Sequence, residues 1–388
     1  MAVAGRSEDG STADSAAAAL REAGFVRFHV APDGDALATA GLLARALAER
    51  DTPFQASVVR SGRPGTTDTA GTDDTTTVCI GGTEPADVTL DPPGSASEAA
   101  FEAARELGSD PDPILALAGA FTPPDAALEG SAAFEAARDH DLIEQRPGVA
   151  IPVTDLVDGL AHTTLAHAGF SGDPDAVRET LDGRETADTD EERREVASIV
   201  ALTAAGAEDA TSRAAETVEH VLRPYAITER SNDGSATAPE FATVGGYADV
   251  LRACAHERPG TGLALAIGHD VRNAALSAWR AHAERAHAAV RTATTARHRN
   301  LVVARVDTDA PLATTARLFC DFRSPEPVVV AVGETEAAAA ATDDRNLGTR
   351  MREAAAAADG NGAGSERRGR ATFTDDEAFV AAFREAMA

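Results

Sequence analysis

The sequence predicts an α/β protein with two domains: a first domain built on a mainly parallel sheet and a smaller C-terminal α/β domain. Strand-like and helix-like segments alternate over roughly the first 120 residues, which is the pattern of a parallel sheet covered by helices. A mostly helical stretch follows, and strands return near residue 300. A chain of 388 residues also has the length of about two domains.

The segment Ser231–Pro239 is rich in Ser, Asp and Gly and is typical of a domain boundary. We therefore expect a tail and short helix over residues 1–24, a first domain with a helical connector over 25–230, and a second domain over 240–388.

The first domain should contain a strand–turn–helix unit. Phe25–Val30 alternates as a half-buried strand does, Pro32–Gly34 breaks that strand, and Ala36–Arg50 carries leucines at helical spacing. The pattern also predicts strands at 54–59, 77–80 and 88–90, helices at 15–23, 97–107 and 113–121, a loop at 61–77 and a frayed tail at 1–14.

The second half is predicted to be mostly helical over 133–226 and then α/β again. A long helix is expected over 271–297, with strands at 301–306 and 328–332 and a helix between them. Alanine runs favour helix because alanine has the highest helix propensity, and a glycine cluster favours a loop. The alanine runs are 337–341 and 354–358, and the glycine cluster is 360–364.

The charge of the chain is extreme. The formal net charge is −28, and all 35 basic residues are arginine. In dilute buffer so much like charge opposes a compact fold, whereas molar salt shortens the screening length to about 3 Å. A hydrophobic fraction of 43% argues against an acidic disordered chain, and thermophilic proteins enrich lysine instead. The composition therefore favours adaptation to a very salty cytoplasm.

The sequence shows no run of 18 apolar residues and no basic-then-apolar start. We therefore expect no membrane span, no secretion signal and a cytoplasmic location. Cys79, Cys254 and Cys320 lie among apolar residues, which predicts buried thiols rather than a disulfide framework. His162 and His167 are five residues apart and are expected to be core or surface histidines.

The acidity bears on nucleic-acid binding without deciding it. A pI near 4.6 normally counts against such binding. In high salt, however, long-range attraction to phosphate is suppressed for every protein. A binder in such a cell must depend on metals, hydrogen bonds and stacking.

His29, Asp33 and Asp35 surround the end of the first predicted strand. Side chains at the carboxyl end of a parallel strand face the crevice where α/β proteins bind ligands, and imidazole with carboxylates can hold a divalent metal. The same residues also fit an ordinary turn with a helix-capping aspartate. Spacing alone leaves both interpretations open.

The segment 28–43 resembles the first motif of the DHH phosphoesterase superfamily, particularly of RecJ-like single-strand exonucleases. That motif is His-x-Asp-x-Asp-Gly at a strand end, followed by a helix of small residues. Residues 86–93 are similar to the family's strand ending in Asp-His-His, and 245–251 to a segment typical of archaeal RecJ-like proteins. The glycines of 360–364 fall where the associated DHHA1 domain has its Gly-Gly-Gly-His loop. The resemblance implies a DHH-type domain followed by a DHHA1-type domain.

The resemblance implies a metal site on His29, Asp33, Asp35 and Asp91, holding manganese or magnesium in an active enzyme. Two ions about 3.5–4 Å apart need bridging carboxylates. Several family ligand positions are changed, and the changes predict a weakened or lost two-metal site and, in that case, no cofactor. The changed positions are Ala31, Gly81–Thr83, Pro92 and Pro93.

The resemblance also implies a nucleic-acid or phosphate contact in the C-terminal glycine–arginine segment. Backbone N–H groups of Gly360, Gly362 and Gly364 can face a phosphate, and Arg367 and Arg368 can contact one directly. A plain loop with solvated arginines explains the same residues. The histidine of the family's loop is missing here.

Two functions are consistent with these features. The first is a RecJ-like protein with reduced or lost nuclease activity in DNA replication or repair, binding single-stranded DNA, the GINS complex or a RecJ-like paralogue. The second is a working metal-dependent exonuclease or small-nucleotide phosphodiesterase with a rearranged site. A generic alternative is a regulatory module unrelated to DNA. The number of missing ligands favours the first, which resembles the nuclease-free RecJ relative in the eukaryotic CMG helicase.

Overall fold

The computed structural model describes residues 8–59, 74–82, 84–92, 94–121, 128–207, 210–228, 240–307 and 309–387. The helices are α1 (Glu8–Glu22), α2 (Gly34–Glu49), α3 (Ala96–Glu106), α4 (Pro113–Ala120), α5 (Ala132–Asp139), α6 (Leu156–His162), α7 (Pro174–Thr180), α8 (Asp190–Ala205), α9 (Ser212–Glu219), α10 (Val244–Glu257), α11 (Pro259–Ile267), α12 (Arg272–Thr292), α13 (Leu312–Leu318), α14 (Leu347–Ala356) and α15 (Asp376–Met387). A π-helical turn, Phe319–Arg323, follows α13 directly.

The strands are β1 (Phe25–Val30), β2 (Phe54–Val58), β3 (Thr75–Ile80), β4 (Val88–Leu90), β5 (Ile143–Gln145), β6 (Tyr225–Ile227), β7 (Thr294–His298), β8 (Leu301–Arg305), β9 (Val328–Val332), β10 (Glu336–Ala341), β11 (Asn361–Gly364) and β12 (Arg368–Thr372).

Contacts group the chain into two compact units that do not follow simple sequence order. The first contains Met1–Arg146, Ala150–Val153 and Pro224–Trp279, and the second contains Pro147–Val149, Thr154–Arg223 and Arg280–Ala388. This division differs from the expected domains of 25–230 and 240–388, because the chain leaves the first unit and later returns to it. The expected boundary at 231–239 and most of the expected loop at 61–77 lie outside the described residues.

The first unit contains a parallel four-stranded sheet in the order β2-β1-β3-β4. In β1 the side chains of Val26, Phe28 and Val30 are buried and alternate with partly exposed ones, which is the predicted strand pattern. Helix α2 is buried along most of its length, as expected for a helix covering a parallel sheet. The predicted parallel α/β architecture is therefore confirmed.

The second unit contains a six-stranded mixed sheet in the order β11-β12-β10-β9-β8-β7. Strands β8 and β9 are parallel, and the other neighbours are antiparallel. Met351 of α14 and Phe379 and Phe383 of α15 belong to the core cluster of this sheet. The second α/β region is therefore also confirmed, with helices α6 to α9 in the same unit.

Three local predictions are wrong. The alanine run 337–341 lies in strand β10 rather than in a helix, because pairing with β9 and β12 outweighs alanine's helix propensity. The glycine cluster 360–364 is mostly strand β11 rather than a loop. Residues 1–7 of the predicted tail 1–14 lie outside the described residues, and 8–14 begin α1, where Ala13, Ala16, Ala17 and Leu20 are buried at helical spacing.

The predicted helix over 271–297 also ends earlier, at Thr292, and the chain continues into edge strand β7. Within the described ranges, no helix is both long enough and apolar enough to cross a membrane.

Candidate functional site

The carboxyl ends of β1, β3 and β4 lie at one edge of the parallel sheet. The N–H of Ala31 donates to the carbonyl of Ile80 at 2.9 Å, and the N–H of Gly81 donates to the carbonyl of Leu90 at 3.0 Å. These bonds bring the turn after β1, the Gly81–Gly82 turn and Asp91 to the same edge. The chain thus places the family's metal-motif positions on a common edge.

Asp33 caps helix α2. Its Oδ1 accepts a hydrogen bond from the N–H of Ala36 at 2.8 Å, as N-cap aspartates do. Gly81 lies beside it with φ of +63°, and a Cβ on Gly81 would be 3.4 Å from Oδ2 of Asp33 and 3.3 Å from Cβ of Ala31. Ala31 and Gly81 are therefore adjacent to Asp33 and provide no carboxylate, although the resemblance to the DHH motifs calls for ligand aspartates at Ala31 and in the segment Gly81–Thr83.

Asp35 holds the start of helix α3. Its Oδ1 accepts from Ser95 Oγ at 2.8 Å and from the N–H of Ser97 at 2.9 Å, and its Oδ2 accepts from the N–H of Ala96 at 2.8 Å. A carboxylate here also stabilises the positive end of the helix dipole. A metal ion bound by Asp35 would have to compete with these three donors.

His29 lies on β1 between Ser57 of β2 and Cys79 of β3. Its ring is half-buried, and Nδ1 has no hydrogen-bond partner among the described residues. Burial raises the pKa of the Cys79 thiol, and the carboxylates of Glu84 and Asp91 raise it further. Cys79 is therefore a buried neutral thiol, as expected from sequence.

These residues do not fit a two-metal cluster. Asp33 caps α2, Asp35 accepts hydrogen bonds from the start of α3, and Ala31, Gly81 and Pro92 provide no ligand. In the described part of the chain, no group of three or more His, Cys, Asp or Glu side chains is arranged to hold a metal ion. Thr83 and Pro93, which belong to the same motifs, lie outside the described residues.

The C-terminal glycines lie where α14 packs against β11. The N–H of Gly360 donates to the carbonyl of Ala355 at 2.8 Å, and Gly362 and Gly364 pair with Ala371 and Gly369 of β12. A Cβ on Gly362 would be 2.5 Å from the carbonyl carbon of Met351. The absence of side chains is thus required by packing.

Arg367 and Arg368 follow on the turn and on the exposed side of β12. Arg367 Nε donates to Asp344 Oδ1 at 2.7 Å. Arg368 lies near Asp321, where burial raises the pKa of the carboxyl and the charges of Arg317 and Arg368 partly offset that effect. Arg367 and Arg368 belong to the second unit, whereas His29 and Asp33 belong to the first.

An ion-pair cluster in the second unit was not predicted. Asp158 of α6 accepts two hydrogen bonds from Arg280 of α12, at 2.8 and 2.7 Å, and one of its oxygens lies 3.0 Å from His162 Nδ1. Burial alone would raise the pKa of Asp158, but Arg280 and His162 hold it well below its usual range. Burial would lower the pKa of His162, but Asp158 and Glu284 raise it. In the sequence, the only indication of this cluster is that Asp158 and His162 are four residues apart, which places them on one face of a helix.

A second unpredicted cluster contains His167 and His287. Their Nδ1 atoms are 2.9 Å apart, and both rings are almost fully buried. Nε2 of His287 lies 3.0 Å from the carbonyl of Thr163, and Arg323 Nη2 lies 3.2 Å from Nε2 of His167. One tautomer pair satisfies every contact: Arg323 donates to His167, His167 donates to His287, and His287 donates to the carbonyl. Burial, with the charges of His287, Arg323 and Arg291, lowers the pKa of His167 to about 2.

Comparison with known structures identifies the fold. The crystal structure of CDC45 from Entamoeba histolytica is similar with a TM-score of 0.62 at 10% identity, covering 97% of this chain and 99% of that chain. The structure of exonuclease RecJ bound to manganese is similar with a TM-score of 0.50 at 15% identity, covering 100% of this chain and 94% of that chain. The fold is therefore that of the DHH and RecJ-like proteins.

Comparison of sequences identifies the family. A family model described as "Uncharacterized protein rrnAC1427, C-terminal domain" matches residues 293–385, a span that runs from β7 into α15. The protein rrnAC1427 from Haloarcula marismortui is 49% identical over 381 residues, covering 96% of this chain and 95% of that protein. The chain therefore belongs to the rrnAC1427 family, on a RecJ-like fold.

Proposed function

We propose that the protein binds single-stranded nucleic acid in DNA replication or repair and has lost most or all of the two-metal nuclease activity that its fold family implies. The observation that carries this proposal is the use of Asp35. Both of its oxygens accept hydrogen bonds from the start of α3. Ala31 and Gly81, which lie beside Asp33, provide no carboxylate, although the resemblance calls for ligands at Ala31 and within Gly81–Thr83.

The physical reason concerns charge. Two divalent ions about 3.5–4 Å apart repel each other and stay together only with bridging and terminal carboxylates. Here Asp33 caps α2, Asp35 accepts hydrogen bonds from the start of α3, and Asp91 is followed by Pro92. His29 and Asp91 could hold at most one manganese or magnesium ion weakly. Such an ion would lack the partner that activates water opposite the leaving group.

Loss of the ligands need not affect the fold. The architecture still resembles that of RecJ and of CDC45 over nearly the whole chain, as expected if selection retained binding and assembly. Arg367 and Arg368 are the proposed phosphate contacts. Assembly with GINS or with a RecJ-like paralogue in a salty cytoplasm is the form of action that we expect.

The test is a combined binding and cleavage assay with a labelled single-stranded oligonucleotide, in molar KCl with manganese. The parent should bind the strand and leave it intact, and Asp33→Ala with Asp91→Ala should give the same result. Arg367→Ala with Arg368→Ala should weaken binding about tenfold or more, since each replacement removes one charged contact. Arg352→Ala, an exposed arginine on α14, is the matched control.

Rapid cleavage by the parent that disappears in the Asp33, Asp91 variant would replace this proposal with the exonuclease alternative. Equal binding by the parent and by the Arg367, Arg368 variant would remove the proposed contact surface.

A further inference from the structure

Strand β12 presents two arginines on one face of the six-stranded sheet. Arg368 and Arg370 are two residues apart, so their side chains point to the same face. Gly369 and Ala371 belong to the other face, because Ala371 lies in the core cluster with α14 and α15, and a Cβ on Gly369 would be 2.5 Å from Cγ of Met351. The two arginines therefore lie on the face away from these helices.

The neighbours of Arg370 do not neutralise its charge. In the register of the sheet, it stands between Ala338 of β10 and Ala363 of β11. Arg370 is exposed and, within the described ranges, makes no ion pair and no side-chain hydrogen bond. The carboxylate nearest to it in this register is that of Glu336, which stands opposite Thr372, two residues further along β12. Arg370 thus carries a positive charge with no acidic residue directly opposite.

Two nearby arginines have acidic partners instead. Arg367 Nε donates to Asp344 Oδ1 at 2.7 Å, and Arg345 Nε donates to Asp343 Oδ1 at 2.8 Å. Each of these would have to exchange an acidic partner for an outside anion. Arg370 can bind an anion without such an exchange, and the planar fork of its guanidinium group suits the oxygens of a phosphate.

The spacing of the two arginines fits a chain of phosphates. Residues i and i+2 of an antiparallel strand are about 6.8 Å apart, which lets two guanidinium groups reach successive phosphates of an extended strand. None of the side chains that β10, β11 and β12 place on this face is aromatic. Proteins that hold single strands through their bases stack those bases on aromatic rings. This face can therefore contact phosphates but offers no ring to a base.

We propose that Arg368 and Arg370 hold single-stranded nucleic acid by its phosphates alone, so that the bases contribute nothing to binding at this face. The inference rests on the single-strand binding proposed above. It adds Arg370 as a contact residue and specifies which part of the ligand is recognised. Phosphate contacts position a strand without reading its sequence, so binding should be independent of sequence.

Fluorescence anisotropy with two labelled strands of equal length, an oligothymidylate and an abasic strand, tests the proposal at several KCl concentrations that keep the fold. The parent should bind both strands equally, whereas one stacked base would favour the oligothymidylate by about fivefold or more. Arg370→Gln should weaken binding of both strands about tenfold, roughly the effect of one hydrogen bond between charged groups. It should also lower the slope of the logarithm of Kd against the logarithm of the KCl concentration by about 0.7, the contribution of one neutralised phosphate. Arg370→Lys keeps the charge and should keep the slope.

Arg352→Gln is the matched control, because Arg352 is an exposed arginine of α14 on the other side of the sheet, and it should change neither affinity nor slope. Circular dichroism checks each fold, and the comparison of the two strands uses the parent alone, so it stays valid if Arg370→Gln does not fold. If the parent binds neither strand, the proposed function and this inference both fail. If the parent binds but Arg370→Gln has the parent's slope, or the abasic strand binds at least about fivefold more weakly, the proposed function stands and this inference is overturned.

Discussion

Asp35 joins two distant parts of the first unit through a single carboxylate. Hydrogen bonds from Ser95, Ala96 and Ser97 connect the first turn of α2 to the start of α3. An active metal site needs carboxylates that remain available to cations, whereas a helix anchor needs them fully engaged with N–H donors. Asp35 cannot serve both as a metal ligand and as a helix anchor, and its hydrogen bonds make it a helix anchor.

The buried histidine pair gives a pH prediction at the same scale. His167 is neutral in the folded protein because its pKa is lowered to about 2, whereas in the unfolded chain it binds a proton below its ordinary value of about 6.5. Between those values the unfolded state binds more protons, so the free energy of unfolding rises with pH and is lost on acidification. We expect His167→Gln to lower this slope between about pH 5 and 6 by up to about 1.4 kcal/mol per pH unit.

Urea unfolding at constant high salt measures the slope, so a general loss of stability in the variant does not affect the comparison. His162 has a raised pKa and contributes a slope of opposite sign only above about pH 6.5. Exposed His269→Gln is the matched control and should leave the slope unchanged. A His167→Gln slope equal to that of the parent would contradict the assignment of a neutral buried pair.

At the scale of elements, β11 and α14 approach so closely that glycine is required between them. A Cβ on Gly362 would lie 2.5 Å from backbone atoms of Met351. We expect Gly362→Ala to lower the free energy of unfolding by about 1–3 kcal/mol, the usual cost of overpacking. The control is Gly169→Ala, where a new Cβ meets no heavy atom within 4 Å and the change should stay within about 0.5 kcal/mol.

Urea unfolding of both variants distinguishes packing from phosphate binding as the reason for this glycine. If Gly362→Ala is as stable as the parent but binds single-stranded DNA less well, the glycine serves the ligand rather than the sheet.

The same elements show what the sequence could predict. Strand β1 could be predicted from the alternation of apolar and polar residues, and helix α2 from the spacing of its leucines. The Asp33 cap could be predicted as well, because it joins residues only three positions apart. The partner of Asp35 lies 61 residues away at Ala96, and nothing local identifies it. Strand β10 was predicted as helix because alanine's own preference is helical, while its pairing with β9 and β12 is not visible in the run itself.

At the scale of the whole molecule, several surface arginines form local ion pairs. Arg193 with Asp190, Arg184 with Glu195 and Arg367 with Asp344 are examples in the second unit. Exposed pairs of this kind contribute about 0–1 kcal/mol each. With 63 acidic residues against 35 arginines, an excess of 28 negative charges remains after every possible pairing.

That excess predicts a fold that depends on salt. The repulsion acts over a Debye length of about 10 Å at 0.1 M salt and about 3 Å at 1 M, so screening should be nearly complete by about 1 M. We expect the melting temperature, followed by circular dichroism between 0.1 and 3 M KCl, to rise by more than about 5 °C. A change of 1 kcal/mol corresponds to about 2–4 °C for domains of this size. The rise should be steepest below about 1 M. A rise that begins only above that concentration would indicate exclusion of salt from the protein surface instead, and an unchanged melting temperature would contradict salt adaptation altogether.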